Sequence, residues 1–275
     1  MPAVSRTTLV IFDWAGTTVD FGSCAPAHAF QNVFAERGIA LSSGVARGPM
    51  GTNKRDHLIE ILSTPDVAVH WKSQFGRDWQ TSDVDDLYHA FIEIQLKTIA
   101  DTTVLVPGLL QTVAQLNERG IHVAGTTGYF RAAADAVRTR AQAAGFSVSF
   151  NVCADDVPEG RPAPWMIYRV MEHLGIYPAA HVINIGDTIA DIRAGLAAGC
   201  WSVGVCDSSS ETGLSLEQFN SLDEAERTKK VEASARAFRD AGCHAVVRTI
   251  SDLPRLIDAI DAQTDPNPTR LDAWY

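Results

Sequence analysis

Short apolar runs alternate with helix-like stretches along most of this 275-residue chain. The runs are rich in β-branched and aromatic residues, as buried strands are. They lie at residues 8–12, 121–126, 148–152, 181–185, 201–205 and 245–247. Between them apolar residues recur at helical spacing, as Leu109, Val113 and Leu116 do. Strands that are apolar on both faces and separated by helices predict an α/β fold, in which a Rossmann-like parallel sheet core carries helices on both faces and binds ligands beyond the carboxyl ends of its strands.

Residues 21–103 break this alternation. The segment has no strand-like run, and Val84, Leu87 and Phe91 mark a long amphipathic helix within it. Pro107 and Gly108 then mark the point where the alternation of strand-like and helix-like stretches resumes. The sequence therefore predicts an α/β core domain of residues 1–20 and 104–275, with a helical domain of residues 21–103 inserted into it.

Charge and cysteine content limit which ligands, metal sites and cross-links are expected for the chain. The net charge of −10 disfavours nucleic acid and anionic membrane surfaces, so an anionic substrate would need a local group of cations or a metal ion. The five cysteines are scattered with no CxxC pair, which argues against a zinc site or a disulfide framework. Because no apolar run could span a bilayer and no signal peptide is apparent, the chain is expected to be cytoplasmic.

Carboxylates follow two of the predicted strands. Asp13 ends the first strand and precedes a Gly-Thr turn whose N–H groups suit an anion. Asp187 ends the fourth strand, and Asp191 follows it by about one helical turn. Each of these residues, taken alone, also fits a role as a turn or helix cap. Together, three carboxylates at one sheet edge need a divalent cation, and an oxygen-only ligand set favours Mg²⁺.

Groups that suit a phosphate lie near the same edge. Thr127 and Gly128 end the second strand and place a hydroxyl and backbone donors there. Arg161 precedes Pro162, which keeps it out of a helix and in a loop. A surface position is more common for an arginine in general, but within this set of residues we interpret Arg161 as a cation that faces the carboxylates and a phosphate.

In this order the four motifs resemble the haloacid dehalogenase-like superfamily of phosphotransferases, from the first predicted strand to the helix after the fourth. The resemblance implies that Asp13 is a nucleophile that forms an aspartyl phosphate. It also implies that Asp13 and Asp187 hold Mg²⁺ with Asp191 in support, and that Thr127 and Arg161 bind phosphate. The inserted helical domain would be the cap of the superfamily.

Ala15 sets this chain apart from the phosphatases of that superfamily. By the same resemblance its backbone carbonyl is a further metal ligand, but its side chain stands where those phosphatases carry a second aspartate that protonates the leaving alkoxide. Loss of a general acid reduces the rate of such a step by roughly 10²- to 10⁴-fold. The chain is therefore expected to be a poor phosphatase, or to act on a bond whose leaving group is not an alkoxide.

A helix start in the inserted domain offers a candidate for a second nucleophile. Thr52 or Asn53 is placed to act as the N-cap, which puts Lys54 in the first turn and on one face with His57. The helix dipole and neighbouring Arg55 both disfavour a charged ammonium, so Lys54 is expected to offer a neutral amine that can form an imine with a carbonyl. Taken alone, this stretch favours an ordinary solvated lysine.

With these residues added, nearly the whole sequence resembles the phosphonoacetaldehyde hydrolase family. The resemblance is carried by Phe12-Asp13-Trp14-Ala15-Gly16, Pro49-Met50-Gly51 with Lys54 and His57, Thr127-Gly128-Tyr129, Gly160-Arg161-Pro162 and Gly186-Asp187-Thr188. In that family the cap lysine forms a Schiff base with the aldehyde, and arginine replaces the usual lysine of the superfamily, as Arg161 does here. The family commonly has a cysteine where this chain has Ser23, which leaves open any role for a thiol near the site.

The resemblance implies hydrolysis of the C–P bond of phosphonoacetaldehyde to acetaldehyde and phosphate. An iminium at Lys54 would let the carbon leave as an enamine, which needs no acid at Ala15, while Asp13 takes the phosphoryl group. The alternative is a phosphate-ester phosphatase or phosphomutase on the same fold. Such an enzyme would be expected to carry an acidic residue at position 15 to protonate the leaving oxygen. A non-catalytic phosphate-binding protein would have no use for nucleophile and metal carboxylates together.

Roles for the remaining site residues follow from the same resemblance. His57 is the candidate for moving protons during imine formation, beside Thr127 in the catalytic set. Met50, Gly128 and Tyr129 are expected to contact the substrate, and Met50 and Tyr129 to shape the pocket rather than react. Simple packing is a serious alternative for each. The family also suggests a homodimer formed through the cap domain.

Overall fold

A parallel β-sheet forms the centre of the structure. The computed structural model describes residues 6–265, 267–271 and 274. The strands of this part of the chain are β1 Leu9–Phe12, β2 His122–Thr127, β3 Asn151–Cys153, β4 Val182–Gly186, β5 Trp201–Val205 and β6 Ala245–Val247. They lie in the order β3-β2-β1-β4-β5-β6, and every neighbouring pair is parallel. The predicted α/β class is confirmed.

The central position of β1 determines where a ligand can bind. Leu9 pairs with His122 of β2 on one side and with Val182 of β4 on the other. From β1 the chain builds the sheet outward to β3, and from β4 it builds outward in the opposite direction to β6. The carboxyl ends of β1 and β4 therefore lie side by side at the point where the strand order reverses, which is where sheets of this type bind ligands.

The third strand differs from its prediction. Residues 148–152 were expected to form it, but the strand runs from Asn151 to Cys153. It lies at the edge of the sheet, where Ser147 and Ser149 are exposed and only Val152 and Cys153 are fully buried. Val148 and Phe150, which suggested the earlier start, are only half-buried and precede the residues that are in register with β2.

Helices pack on both faces of the sheet. Those of the described residues are α1 Cys24–Ala35, α2 Ser43–Arg47, α3 Lys54–Ser63, α4 Pro65–Phe75, α5 Thr81–Thr102, α6 Leu109–Glu118, α7 Arg131–Ala143, α8 Trp165–Leu174, α9 Ile189–Ala198, α10 Leu216–Ser221, α11 Glu224–Asp240 and α12 Leu253–Asp261. Val10 and Phe12 of β1 belong to one apolar cluster with α6 and α7, whereas Leu9 and Ile11 belong to a second with α8. None of the helices that the structure describes is long and apolar enough to cross a membrane.

The helices α1 to α5, called here the helical segment, lie between β1 and β2 in the chain. Their shared core includes Phe30 and Phe91, whose rings stack with centroids 4.4 Å apart. The two connections to the rest of the chain pair with each other, since the Asp20 N–H donates to the carbonyl of Val104 at 3.0 Å. The helical character of the predicted insertion is thus observed, while its status as a separate domain stays a prediction.

Candidate active site

Three carboxylates meet at the carboxyl edge of the sheet. Asp13 directly follows β1, Asp187 directly follows β4, and Asp191 lies in the first turn of α9. All three are buried, and one oxygen from each lies within 4.8 Å of the others. The sequence placed these residues at one edge, and the pairing of β1 with β4 brings them together.

The electrostatics of this cluster fit a cation. Burial, with the charges of Asp13 and Asp191, raises the pKa of Asp187 well above its usual range. Burial likewise raises the pKa of Asp191 to about 6, against the opposing effect of Arg161. Asp187 Oδ2 accepts a hydrogen bond from the Ser210 N–H at 2.8 Å, but the buried Oδ1 has no partner in the described structure. An unpartnered oxygen among acidic oxygen donors is what a hard divalent cation would satisfy.

Two glycines allow the carboxylates to approach the backbone. Gly16 has a φ of +90°, and a Cβ there would lie 2.0 Å from Asp187 Oδ2. A Cβ at Gly186 would lie 2.3 Å from the side chain of Asp191. Asp191 is held by a capping box in which the Thr188 hydroxyl and N–H donate to its Oδ2. The acidic cluster therefore depends on small residues in the loops after β1 and β4.

Arg161 partly compensates the negative charge. It is buried, as the acidic cluster is, and its Nη1 lies 2.6 Å from Asp13 Oδ1 and 2.8 Å from Asp191 Oδ1. Its Nη2 donates to the carbonyl and the hydroxyl of Thr126 at 2.9 and 2.8 Å. The side chain is thus a buried cation facing the carboxylates, as the sequence predicted, and β2 holds its orientation.

Lys54 reaches the same place from the helical segment. It begins α3, where the Asn53 side chain accepts a hydrogen bond from the Arg55 N–H, so Asn53 is the N-cap. Lys54 is 5% exposed, and its Nζ lies 5.9 Å from the ring centre of Phe30 and 5.6 Å from that of Tyr129. Burial lowers the pKa of Lys54 to about 8, although Asp13 acts in the opposite direction. The expected tendency toward a neutral amine is present.

The cause of that tendency differs from the one inferred from the sequence. Arg55 was expected to disfavour the charge on Lys54, but its guanidinium lies 2.7 Å from Asp85 Oδ1 in an ion pair. The largest cause of the lowered pKa is instead the removal of Lys54 from water; the charge of Asp13 opposes this effect, and the charge of Arg161 adds to it. A contribution from burial needs the tertiary structure, because the local sequence predicts an exposed helix start.

His57 lies behind Lys54 on the same buried face of α3. Its Nε2 is 3.0 Å from the carbonyl of Ala46, which makes Nε2 the donor and leaves the buried Nδ1 without a partner in the described structure. The ring packs on Phe30 with centroids 3.8 Å apart. Burial, with the charge of Lys54, lowers the pKa of His57 well below its usual value, so the ring is neutral. Its predicted role in proton transfer stays a prediction.

A small cavity joins these groups. Its volume is about 20 Å³. The residues that line it come from both the sheet edge and the helical segment: Asp13, Ala15, Ser23, Pro26, Met50, Gly51, Lys54, Thr127, Gly128, Tyr129, Arg161, Asp187 and Thr188. The sequence prediction included nine of these thirteen residues. His57 and Asp191 were also predicted, but the structure places them behind the lining.

Four lining residues were not selected from the sequence. Gly51 and Thr188 belong to motifs of the family resemblance but were given no role, Ser23 was named only for the cysteine that the family commonly has there, and Pro26 was not singled out. A Cβ at Gly51 would lie 2.2 Å from Thr188 Oγ1, so this glycine permits close contact between the helical segment and the sheet edge. Ser23 rather than Cys24 lines the cavity, and burial raises the pKa of the Cys24 thiol.

The cavity wall carries few carboxylic acids. Among its lining residues only Asp13 and Asp187 carry carboxylates, and Ala15 supplies a methyl group and its backbone. Asp187 belongs to the acidic cluster that fits a cation. The arrangement can therefore offer a carboxylate nucleophile, an amine nucleophile, a buried arginine and a metal site, but no further carboxylic acid on the cavity wall.

Comparison with known proteins agrees with this set of groups. The family model of the haloacid dehalogenase-like hydrolases matches residues 7–199. The phosphonoacetaldehyde hydrolase of Hahella chejuensis is 44% identical over 252 residues, which cover 92% of this chain and 86% of that protein. The phosphonoacetaldehyde hydrolase of Bacillus anthracis is 40% identical over 254 residues, which cover 92% and 96% of the two chains.

Solved structures show the same relationship. The crystal structure of a phosphonoacetaldehyde hydrolase-like protein from Oleispira antarctica superposes with a TM-score of 0.92, at 34% identity over 94% of each chain. A hydrolase from Pseudomonas syringae superposes with a TM-score of 0.65 at 18% identity over 92% of this chain and 99% of that one, which shows a common fold alone. The resemblance inferred from the motifs is confirmed. This chain belongs to the haloacid dehalogenase-like hydrolases and, within them, to the phosphonoacetaldehyde hydrolase family.

Proposed function

We propose that this chain hydrolyses the C–P bond of phosphonoacetaldehyde and releases acetaldehyde and phosphate. The observation that carries the proposal is the presence of two nucleophiles in one cavity, the Asp13 carboxylate from the sheet edge and the Lys54 amine from the helical segment. A phosphatase that hydrolyses phosphate esters does not need the amine nucleophile. The names of relatives at 40–44% identity support the same substrate.

Lys54 makes the carbon a competent leaving group. Its neutral amine attacks the aldehyde carbon, and the resulting carbinolamine takes up a proton and loses water, which leaves an iminium at Nζ. Because the pKa of Lys54 is lowered to about 8, a large fraction of the amine is neutral near that pH. The ring faces of Phe30 and Tyr129, at 5.9 and 5.6 Å, favour the positive charge that the iminium then carries.

Asp13 accepts the phosphoryl group. One carboxylate oxygen attacks phosphorus, and the electron pair of the breaking C–P bond forms a carbon–carbon double bond as the iminium becomes a neutral enamine. No proton has to reach the leaving carbon during this step, so a methyl group at Ala15 does not slow it. The enamine then takes a proton, one water molecule releases acetaldehyde from Lys54, and another hydrolyses the aspartyl phosphate.

Cationic groups make the approach of Asp13 to an anionic phosphonate feasible. Arg161 already lies against Asp13 and is oriented by Thr126, so it can bind a phosphonate oxygen without reorganisation. Asp13, Asp187 and the backbone carbonyl of Ala15 would hold a divalent cation, with Asp191 behind them; the all-oxygen ligand set favours Mg²⁺. When bound, this ion supplies positive charge for the phosphonate oxygens.

We extend the proposal to the organisation of the chain. Residues 21–103 act as a cap domain that brings Lys54 over a core domain of residues 1–20 and 104–275, which carries Asp13. The cap also forms the contact of a homodimer, and the enzyme is cytoplasmic. These three statements stay predictions made from the sequence.

A product assay tests the proposal directly. Phosphate and acetaldehyde are measured together, with phosphonoacetaldehyde or a sugar phosphate as substrate. Equal amounts of the two products are expected from phosphonoacetaldehyde, with sugar phosphates turned over at least about 10²-fold more slowly because no acid protonates their leaving oxygen. Faster release from a sugar phosphate would favour the phosphatase or phosphomutase alternative, and release from neither substrate would refute the hydrolase assignment.

Removal of divalent metal is expected to stop turnover, and added Mg²⁺ to restore it. The buried carboxylates repel one another, so Mg²⁺ should also raise the melting temperature of the free protein. Both effects are measured after exhaustive chelation, the first by phosphate release and the second by thermal unfolding. Asp187→Asn is the control that should lose the thermal shift. Full activity in chelator, without a thermal shift, would remove the metal from the mechanism.

Arg161→Lys is expected to lower kcat/KM by about 10²-fold, the scale for loss of a buried, hydrogen-bonded charge contact. Lysine keeps the charge but cannot reach Asp13, Asp191 and Thr126 at the same time, as the guanidinium does. Steady-state kinetics with phosphonoacetaldehyde measure the effect. Arg119→Lys, at a partly exposed ion pair with Asp258, should match the unchanged protein. Equal kcat/KM for both variants would contradict a role for Arg161 in phosphonate binding.

A further inference from the structure

The cavity between Asp13 and Lys54 is too small to admit the proposed substrate. A volume of about 20 Å³ holds roughly one water molecule. Phosphonoacetaldehyde, with a phosphonate group and two carbons, is several times larger. The helical segment and the sheet edge therefore have to separate for substrate to enter, and then close again to bring both nucleophiles to it. The contacts that hold the two parts together determine this equilibrium.

Arg47, the last residue of α2, forms a polar bridge between the two parts. Its Nη1 donates to the carbonyl of Gly22 at 2.7 Å and lies 3.3 Å from Ser210 Oγ. Its Nη2 donates to the carbonyl of Gly213 at 3.3 Å. Ser210 and Gly213 belong to the loop that follows β5, whereas Arg47 belongs to the helical segment. One guanidinium thus ties the segment to a loop more than 160 residues away in sequence.

That loop also holds the acidic cluster. The Ser210 N–H donates to Asp187 Oδ2 at 2.8 Å, and the Ser208 hydroxyl donates to the carbonyl of Gly16 at 2.6 Å. Gly16 in turn lies against Asp187, because a Cβ there would be 2.0 Å from its Oδ2. Arg47 is consequently two contacts away from the carboxylate proposed to hold the metal ion, through Ser210.

The same guanidinium stabilises the connection between β1 and α1. Asp20, Gly22 and Ser23 all have positive φ values, of 53°, 82° and 47°. Such a conformation is unfavourable for residues other than glycine and needs support from the surroundings. Arg47 supplies part of it, since Nη1 also donates to the carbonyl of Ser23 at 3.3 Å. Ser23 itself lines the cavity, so this connection belongs to the site as well.

We propose that Arg47 is a positioning residue that holds the helical segment closed on the loop after β5 and, through Ser210, sets the orientation of Asp187. Closure of the cavity over Lys54 and formation of the metal site are then coupled by one side chain. The inference rests on the proposed function only for the identity of the substrate that enters. Its tests use the free protein and the metal alone, so they can fail or succeed independently of C–P cleavage.

The first test measures how often Lys54 becomes accessible. Native protein is treated with N-acetoxysuccinimide, and acetylation of the peptide that contains Lys54 is followed by mass spectrometry. Arg47→Met is expected to raise this rate by about tenfold or more, because a single hydrogen bond from a charged donor changes an equilibrium by about that factor. Acetylation of the exposed Lys97 gives the reference rate in each variant.

Arg37→Met is the matched control. Like Arg47, Arg37 is a half-buried arginine of the helical segment that donates to backbone carbonyls, in its case those of Val33 and Asp86. Both partners lie within the segment, so the loss of Arg37 weakens the segment without releasing it from the loop after β5. Its acetylation rate at Lys54 should stay near that of the unchanged protein. An equal increase in both variants would overturn the proposal in favour of a merely structural role.

The second test measures Mg²⁺ affinity by calorimetry in the absence of substrate. Arg47→Met should weaken binding by about tenfold, the lower end of the range for loss of a residue that orients a metal ligand, while Arg37→Met should not. Arg47→Lys, which keeps a charged donor but reaches fewer carbonyls, should recover part of both the affinity and the protection of Lys54. If Arg47→Met leaves the acetylation rate of Lys54 or the Mg²⁺ affinity unchanged, Arg47 does not couple closure to the metal site.

Discussion

Replacing Lys54 with arginine is expected to lower kcat for C–P cleavage on the order of 10⁴-fold or more, the scale found when a catalytic nucleophile or its partner is removed. Arginine keeps the positive charge, but its guanidinium stays protonated and cannot attack an aldehyde. A lysine that acted only through its charge would tolerate this change in part. Phosphate release from phosphonoacetaldehyde, with the melting temperature measured alongside, gives the result.

Two further variants make this result interpretable. Lys54→Met has nearly the same shape without a charge, so it fits between Phe30 and Tyr129 if the larger guanidinium does not. It should lose activity to the same extent. Lys97→Arg places the same substitution on the exposed face of α5 and should retain full activity. Substantial turnover by either Lys54 variant would refute the imine role.

Covalent trapping locates the amine that reacts. With acetaldehyde and borohydride, the imine is reduced to a stable secondary amine, and the added mass should appear on the peptide that contains Lys54. Sugar phosphates, which present no free aldehyde in their ring forms, should leave that peptide unchanged. An adduct on another lysine would assign the imine to that residue instead.

Asp13→Asn is expected to reduce kcat by a comparable factor, on the order of 10⁴- to 10⁶-fold, and to prevent formation of a phosphoenzyme. Asparagine has no anionic oxygen with which to attack phosphorus. The fold should be retained, because the cluster holds three buried carboxylates against Arg161, and removal of one negative charge relieves repulsion. Acid quenching during a single turnover, followed by peptide mass spectrometry, measures the phosphoryl group on the peptide that contains Asp13.

The imine provides the control for this prediction. Asp13→Asn leaves the amine of Lys54 in place, so borohydride should still trap an imine at Lys54 although C–P cleavage is lost. Loss of both reactions would indicate a collapsed cavity rather than a missing nucleophile. A phosphoryl group found elsewhere in the unchanged enzyme would assign the acceptor to another residue.

The agreement between sequence and structure is strongest where local pattern determines the outcome. The strands at residues 201–205 and 245–247 have the predicted bounds, because every residue of both runs is buried. The third strand shifted toward its carboxyl end because Val148 and Phe150 of the predicted run are only half-buried, whereas Val152 and Cys153 are buried. Asn53 as the N-cap of α3 was also predictable, since capping depends on residues that are neighbours in the chain.

The site was predictable as far as its residues follow strand ends. Asp13, Thr127 and Asp187 could be grouped because the carboxyl ends of parallel strands share one edge. Ser210 follows β5 at the same edge, but a run of three serines gives no sign that a backbone N–H will hold Asp187. Arg47 could not be selected either, because its hydrogen-bond partner Ser210 lies in a loop 163 residues away in the sequence.

The amino-acid sequence by itself determined the α/β class, the helical insertion and the chemical types available: carboxylates at strand ends, an arginine before a proline, and a lysine at a helix start. Those features depend on the periodicity of apolar residues and on local backbone geometry. Both are properties of residues that are close together in the sequence. Only the tertiary structure decided the order of the strands, the burial that lowers the pKa of Lys54 to about 8, and the pairing of Arg55 with Asp85. Burial and ion pairing depend on which distant segments exclude water from a group, and local sequence does not contain that information.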